Sequence, residues 1–184
     1  MKALHPGLTL VELMIVLSVA AVLSTMAVPT LGSVLARHRL KSAAYHLQAD
    51  LALARQEALR RGQVAHIVFQ PGANWCYALS MGVAGDCHQA LAQGPSPVLK
   101  TVHASQHPDV VLLQALPMAL DAGQGTSLLG QGHALLANTR GERLLVQLSL
   151  PGRASLCAPG LGVAGMPGCK QELPPPTLRP SAPG

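Results

Sequence analysis

The chain has 184 residues, a formal charge of +5 and 49% hydrophobic residues, of which only one Trp, two Tyr and one Phe are aromatic. That length carries one ordinary domain with an appendage around a modest aliphatic core, and so few aromatics exclude a stacking platform for nucleic-acid bases. The charge is local: Arg37, Arg39, Lys41, Arg55, Arg60 and Arg61 face only Asp50 and Glu57, whereas cations and acids nearly balance beyond Gly62, so the basicity belongs to one segment of the chain.

The first element is apolar. No formal charge falls between Leu13 and Ala36, a run longer than the roughly 20 residues that cross a bilayer as a helix. A cleaved secretory signal, with Lys2 as its basic region and a small-residue cut near Ala27, is the ordinary alternative. Glu12 argues against it, because a carboxylate in an apolar run costs on the order of 2 to 3 kcal/mol on insertion scales unless something neutralises it.

The run Gly7-Leu8-Thr9-Leu10-Val11-Glu12-Leu13 resembles the class III leader of type IV prepilins and type II secretion pseudopilins. The resemblance implies cleavage between Gly7 and Leu8 by a prepilin peptidase on the cytoplasmic side, with N-methylation of Leu8, where the family usually has Phe. Residues 1–7 are then the leader, residues 8–36 the transmembrane and filament-core helix, and Glu12 the fifth residue of the mature chain. There the family's glutamate docks subunits by pairing with a neighbour's terminal amine. Pro29 stands where many members have a proline. It cannot donate to the Thr25 carbonyl and is expected to kink or loosen the helix.

Residues 37–61 continue the helix in amphipathic form, with Leu40, Ala44, Leu47, Leu51, Ala54 and Ala58 at steps of three and four. Arg60, Arg61 and Gly62 form its stop. A continuous helix from Leu8 to Arg61 is about 80 Å long, more than a small head covers. Counting basic residues on either side of the span places the head in the cytoplasm. The leader and the cysteines place it in the periplasm, and that assignment is adopted.

A β-rich head is expected over residues 62–170, with strands near Val64 to Phe69, Cys76 to Leu79, Leu99 to Val102, Val110 to Leu113, His133 to Ala137 and Leu144 to Leu150. A hairpin loop is expected from Asn138 to Arg143. Four cysteines permit three pairings. Sequential pairing, Cys76 with Cys87 and Cys157 with Cys169, closes short loops and is favoured over zinc because neither spacing is CxxC. Disulfides imply an oxidising compartment, the periplasm. The Pro-rich residues 171–184 cannot pair into a sheet and read as a disordered tail.

Leu53-Ala54-Arg55-Gln56-Glu57-Ala58, running into Arg61-Gly62 and the strand after it, resembles the helix-to-strand junction of the GspH/FimT family of minor pilins and pseudopilins. Pro151-Gly152-Arg153 resembles that family's late glycine-arginine turn. The fold implied is α+β and type IV pilin-like, a long N-terminal helix, transmembrane then amphipathic, packed on a β-rich head. The partners implied are other pilins or pseudopilins, the peptidase and an inner-membrane assembly platform.

Enzyme chemistry has no foothold in the sequence. There is no phosphate loop, GxSxG elbow or HExxH, so no catalytic residues, cofactor or metal are assigned. His103 and His107 are four apart, but Pro108 and the strand-like surroundings argue against one helical face. The resemblance also raises DNA capture, which FimT-like minor pilins have been linked to. Arg153 is its candidate contact, but Ser155 stands where a second cation is wanted, and weak binding is expected to come mainly from Arg37, Arg39 and Lys41.

Overall fold

The computed structural model describes residues 9–87, 98–160 and 163–170, without the side chains of residues 24–31. The leader residues Gly7 and Leu8 and the Pro-rich tail lie outside the described residues. The chain divides into two units between Leu35 and Ala36.

A single helix, α1, is assigned from Leu10–Arg61 and passes through both. In the first unit Thr9 caps it, its Oγ1 accepting the Glu12 N–H at 3.3 Å, which satisfies one of the orphan donors of the first turn. Every described side chain from Thr9 to Leu23 is exposed. Pro29 lies inside the helical assignment, and its side chain is outside the described residues. Among the described residues no helix is long and apolar enough to cross a membrane.

In the second unit, Leu40, Ala43, Ala44, Leu47, Leu51, Ala54 and Ala58 of α1 are buried, one stripe at helical spacing. Gly62 ends the helix in the left-handed region at φ 63°, and the Gln63 N–H reaches back to the Ala58 carbonyl at 3.3 Å. That is the closing bond of a Schellman cap, for which glycine is favoured because it has no Cβ.

Among the described residues eight strands follow: β1 Ala65–Gln70, β2 Cys76–Met81, β3 Val98–His103, β4 Val110–Ala115, β5 Met118–Leu120, β6 Gly132–Asn138, β7 Arg143–Leu148 and β8 Ala154–Cys157. They make two antiparallel sheets, in the orders β3-β2-β1-β5 and β4-β6-β7-β8. The helix stripe joins Ile67, Tyr77, Leu79, Leu112, Leu136, Leu144 and Val146 in one core. Each sheet also has a buried patch on its other face. Cys76 and Cys87 cover Ala78, while Cys157 and Cys169 close over Leu135 and Leu145. This explains why β2 is buried along its whole length when a one-sided strand would alternate.

Two strands were not expected from the sequence, β5 and β8, and the expected strand to Leu150 ends at Leu148. Ser149 to Gly152 instead form the turn into β8, closed by Gly152 N–H to Ser149 O at 2.8 Å. After His103 the chain makes a short 3-10 turn, Ala104–Gln106, rather than a helix carrying His103 and His107 on one face.

Candidate functional site

Two regions have the character of interaction surfaces, one in each unit. In the first, α1 exposes Leu10, Val11, Leu13, Met14, Ile15, Val16 and Leu17, each more than half exposed, with Glu12 as the acidic residue of the first turn. A helix this apolar cannot be left in water without a large hydrophobic cost. The Glu12 carboxylate sits in the first turn, at the positive end of the helix dipole and beside the Thr9 cap.

The second region is where α1 meets the β7–β8 turn. Arg55 Nε donates to the Gly125 carbonyl at 3.0 Å, and Gly125 is in turn packed on Gly152. Both glycines have positive φ, 64° and 75°. Beside this contact lies a groove of about 710 Å³ whose lining includes Tyr45, Ala52, Arg55, Leu59, Arg153 and Ala154. Gln48 spans it, Nε2 donating to the Ala154 carbonyl at 3.0 Å. Arg153 is exposed, and its guanidinium has no ion-pair or hydrogen-bond partner among the described residues.

The other cations of the helix are engaged. Arg37 pairs with Glu142 at 2.7 Å, Arg39 pairs with Asp109, and Lys41 Nζ donates to the Ala164 carbonyl at 2.6 Å. Glu142 is held by Asn138, whose Nδ2 donates to it at 2.8 Å while its Oδ1 accepts the Arg140 and Glu142 N–H groups. Burial opposes the charge on Glu142, but the Arg37 and Asn138 hydrogen bonds outweigh it and lower its pKa. At the helix end Arg60 and Arg61 both bind Glu57, which holds that carboxyl down to about 2. The three residues from which weak DNA binding was expected thus each reach the head, Arg37 and Arg39 through an acid and Lys41 through a backbone carbonyl.

The cysteines join as Cys76 to Cys87 and Cys157 to Cys169. Among the described residues, no three of His, Cys, Asp and Glu come together as a metal site would require. The contacts of Arg55 with Gly125 and of Glu142 with Arg37 went unread in the sequence. The Arg140-Gly141 hairpin was the signal for the second, since a loop that tight needs a side-chain cap.

The profile described as type II transport protein GspH matches residues 43–157, and the prokaryotic N-terminal methylation motif matches residues 5–28. No curated protein matches the chain. Among solved structures, type IV minor pilin FimU of Pseudomonas aeruginosa strain PAO1 is similar in two crystal forms. In space group P21 it aligns at 22% identity over 67% of this chain and 94% of that one, with a TM-score of 0.50. In space group P65 the figures are 22%, 65% and 97%, with a TM-score of 0.47. The first likeness shows a shared type IV pilin fold, a helix followed by antiparallel sheets. With the family profile covering well over half of its length, this chain belongs to the GspH family of minor pilins and pseudopilins, whose members serve as structural subunits.

Proposed function

We propose that the chain is a filament subunit made as a prepilin. A peptidase cuts between Gly7 and Leu8, Leu8 is N-methylated, and the helix that follows anchors the protein in the inner membrane with its head in the periplasm. The assembly platform then draws that helix into a pseudopilus or pilus, where Glu12 pairs with a neighbouring subunit and the head sits at or near the tip. The observation that carries this reading is the fully exposed apolar face of α1 from Leu10 to Leu23 with Glu12 at its start. That face needs lipid first and other helices afterwards, and a buried carboxylate needs a cation. The two disulfides support a periplasmic head. The profile description favours type II secretion, whereas the fold likeness is to a type IV pilus protein. The family's members are structural subunits, and the role proposed for this chain is structural too.

Mass spectrometry of the chain co-expressed with a prepilin peptidase tests the reading. The mature protein is expected to begin at N-methylated Leu8, and Gly7→Asp to retain the leader. A mature terminus near Ala27 or Val28 would overturn it.

A second reading, DNA capture, is favoured by one observation: Arg153 stands exposed, its guanidinium unpaired among the described residues, where the β7–β8 turn enters β8.

A further inference from the structure

The head contains a polar pocket for which filament assembly provides no use. Its volume is about 330 Å³, at the small end of the range for ligand pockets. Ser42 and His46 enter it from α1, Tyr77 from β2, Lys100 from β3, and Gln106 and His107 from the 3-10 turn and its end. Beneath them lies Asp50, which is only 5% exposed.

Both oxygens of Asp50 are engaged, Oδ2 by the Tyr77 hydroxyl and Oδ1 by Lys100 Nζ, each at 2.7 Å. The acid is therefore occupied from within, and Lys100 keeps two further N–H donors. The imidazoles are held in place. His107 stacks on Trp75 with ring centroids 5.9 Å apart, and the Trp75 indole is fixed by its N–H to the Val110 carbonyl at 2.7 Å. The His46 ring lies 5.5 Å from that of His107. Because Lys100 and Val102 both line the pocket, alternation along β3 turns His103 to the other face. The charged and titratable groups facing the site are thus His46, Asp50, Tyr77, Lys100 and His107.

We propose that this pocket binds a small oxyanion, a carboxylate or a phosphate group, between Lys100 and the imidazoles of His46 and His107, with Ser42 and Gln106 as further donors. The free groups at its mouth are donors, and the one negative charge is already offset. His107 is pushed below its ordinary range first by burial and then by His46 and Lys100, against the pull of Asp50. An anion relieves that repulsion, so it binds more tightly to the protonated pocket and takes up a proton as it binds.

The test is a titration of the full chain in detergent micelles, following the histidine ring resonances by NMR. Sodium acetate and inorganic phosphate are added separately, against sodium chloride at equal ionic strength. Saturable shifts are expected at His46 and His107, with acetate binding about tenfold tighter near pH 5.5 than near pH 7.5. A response to acetate alone identifies a carboxylate site, and a response to phosphate alone a phosphate site. His46→Ala changes an exposed residue and is expected to weaken binding about fivefold with the fold intact. Lys100→Gln is expected to weaken it further, and if that variant unfolds, His46→Ala decides. No saturable shift beyond chloride near pH 5.5, or an unchanged affinity in His46→Ala, would show that the pocket is only a structural polar cluster.

Discussion

Gly152 lies against Gly125 so closely that a Cβ built on it would fall 1.8 Å from the Gly125 carbonyl oxygen and 3.2 Å from Arg55 Nε. The same carbonyl accepts the Arg55 N–H, so helix, loop and turn meet at one backbone oxygen. A side chain at Gly152 meets backbone, which cannot swing aside. With the positive φ added, Gly152→Ala is expected to cost about 3 kcal/mol or more, above the 1 to 3 of a strained conformation alone. Arg153→Ala should change stability by less than about 0.5 kcal/mol. Urea midpoints of the two variants beside the parent chain measure the difference, and equal midpoints would remove the structural role of the turn.

The Asp50 network sets a second contrast. Asp50 is nearly enclosed, while the Lys100 side chain is 38% exposed, so the two partners are not equivalent. Lys100→Met strands a buried carboxylate and is expected to cost about 3 kcal/mol, the low end for a broken buried pair. Tyr77→Phe leaves that pair intact and removes one hydrogen bond to a charged group, about 1.5 to 3 kcal/mol. Urea unfolding should rank Lys100→Met as the more damaging. The reverse order would mean that Tyr77, not Lys100, neutralises the site.

Stability should fall with acid in two stages. His107 and His133 are both held below the ordinary 6.5, by burial before any other cause, and His133 Nε2 is buried without a hydrogen bond among the described residues. The unfolded chain takes up these protons first, so their contribution is complete above 6.5 and declines as the pH drops below it. Glu57, Glu142 and Asp121 have lowered values, Asp121 through the Gln124 and Gly123 N–H groups. Their contribution is complete above the ordinary carboxylate range near 4.5 and declines as the pH falls towards about 2. Urea midpoints across pH should show both declines. In His133→Phe the first should shrink, and an unchanged profile would assign it to other groups.

The fold is most legible in the sequence where one period dominates. The stripe from Leu40 to Ala58 and the stop at Gly62 follow from helical spacing and from glycine's freedom at positive φ. The longer strands were visible as apolar runs between turn residues. What escaped was short or relational. Three residues at β5 and four at β8 give too little alternation to read, and Ser149-Leu150-Pro151 looks apolar enough to extend a strand that the turn ends. Arg37, Arg39 and Lys41 read as a free basic cluster because Glu142, Asp109 and Ala164 are far away in sequence and are brought near only by the fold.

Thr9 and Glu12 separate helix formation from assembly. Thr9→Ala removes the side-chain acceptor for the Glu12 N–H and should cost about 1 kcal/mol of local helix stability. That frays one turn, and the subunit should still enter filaments. Glu12→Gln keeps size and helix propensity but removes the charge proposed to meet a neighbour's amine. It should be processed normally and fail to assemble. Immunoblots of the membrane and sheared-filament fractions compare them, and normal incorporation of Glu12→Gln would remove the docking role.

DNA binding is the reading that the ion pairs weaken most. Non-specific affinity comes largely from phosphate neutralisation, so it needs several cations free on one face. Arg37, Arg39 and Lys41 are bound to the head, Arg60 and Arg61 share Glu57, and only Trp75, Tyr77, Tyr45 and Phe69 could stack on a base. Trp75 and Tyr77 are buried. A head begun at Gly62 would lack the α1 stripe that completes its core, so the test needs the full chain in detergent. Labelled duplex DNA should bind weakly at physiological salt, more weakly still as salt rises, and almost equally to the parent chain and Arg153→Ala. Double variants such as Arg39→Gln with Asp109→Asn, which remove a pair without freeing a charge, should leave binding unchanged. Micromolar or tighter binding that Arg153→Ala abolishes would make the β7–β8 turn a DNA receptor, with the Gly125, Gly152 and Arg55 contact as the scaffold that presents it.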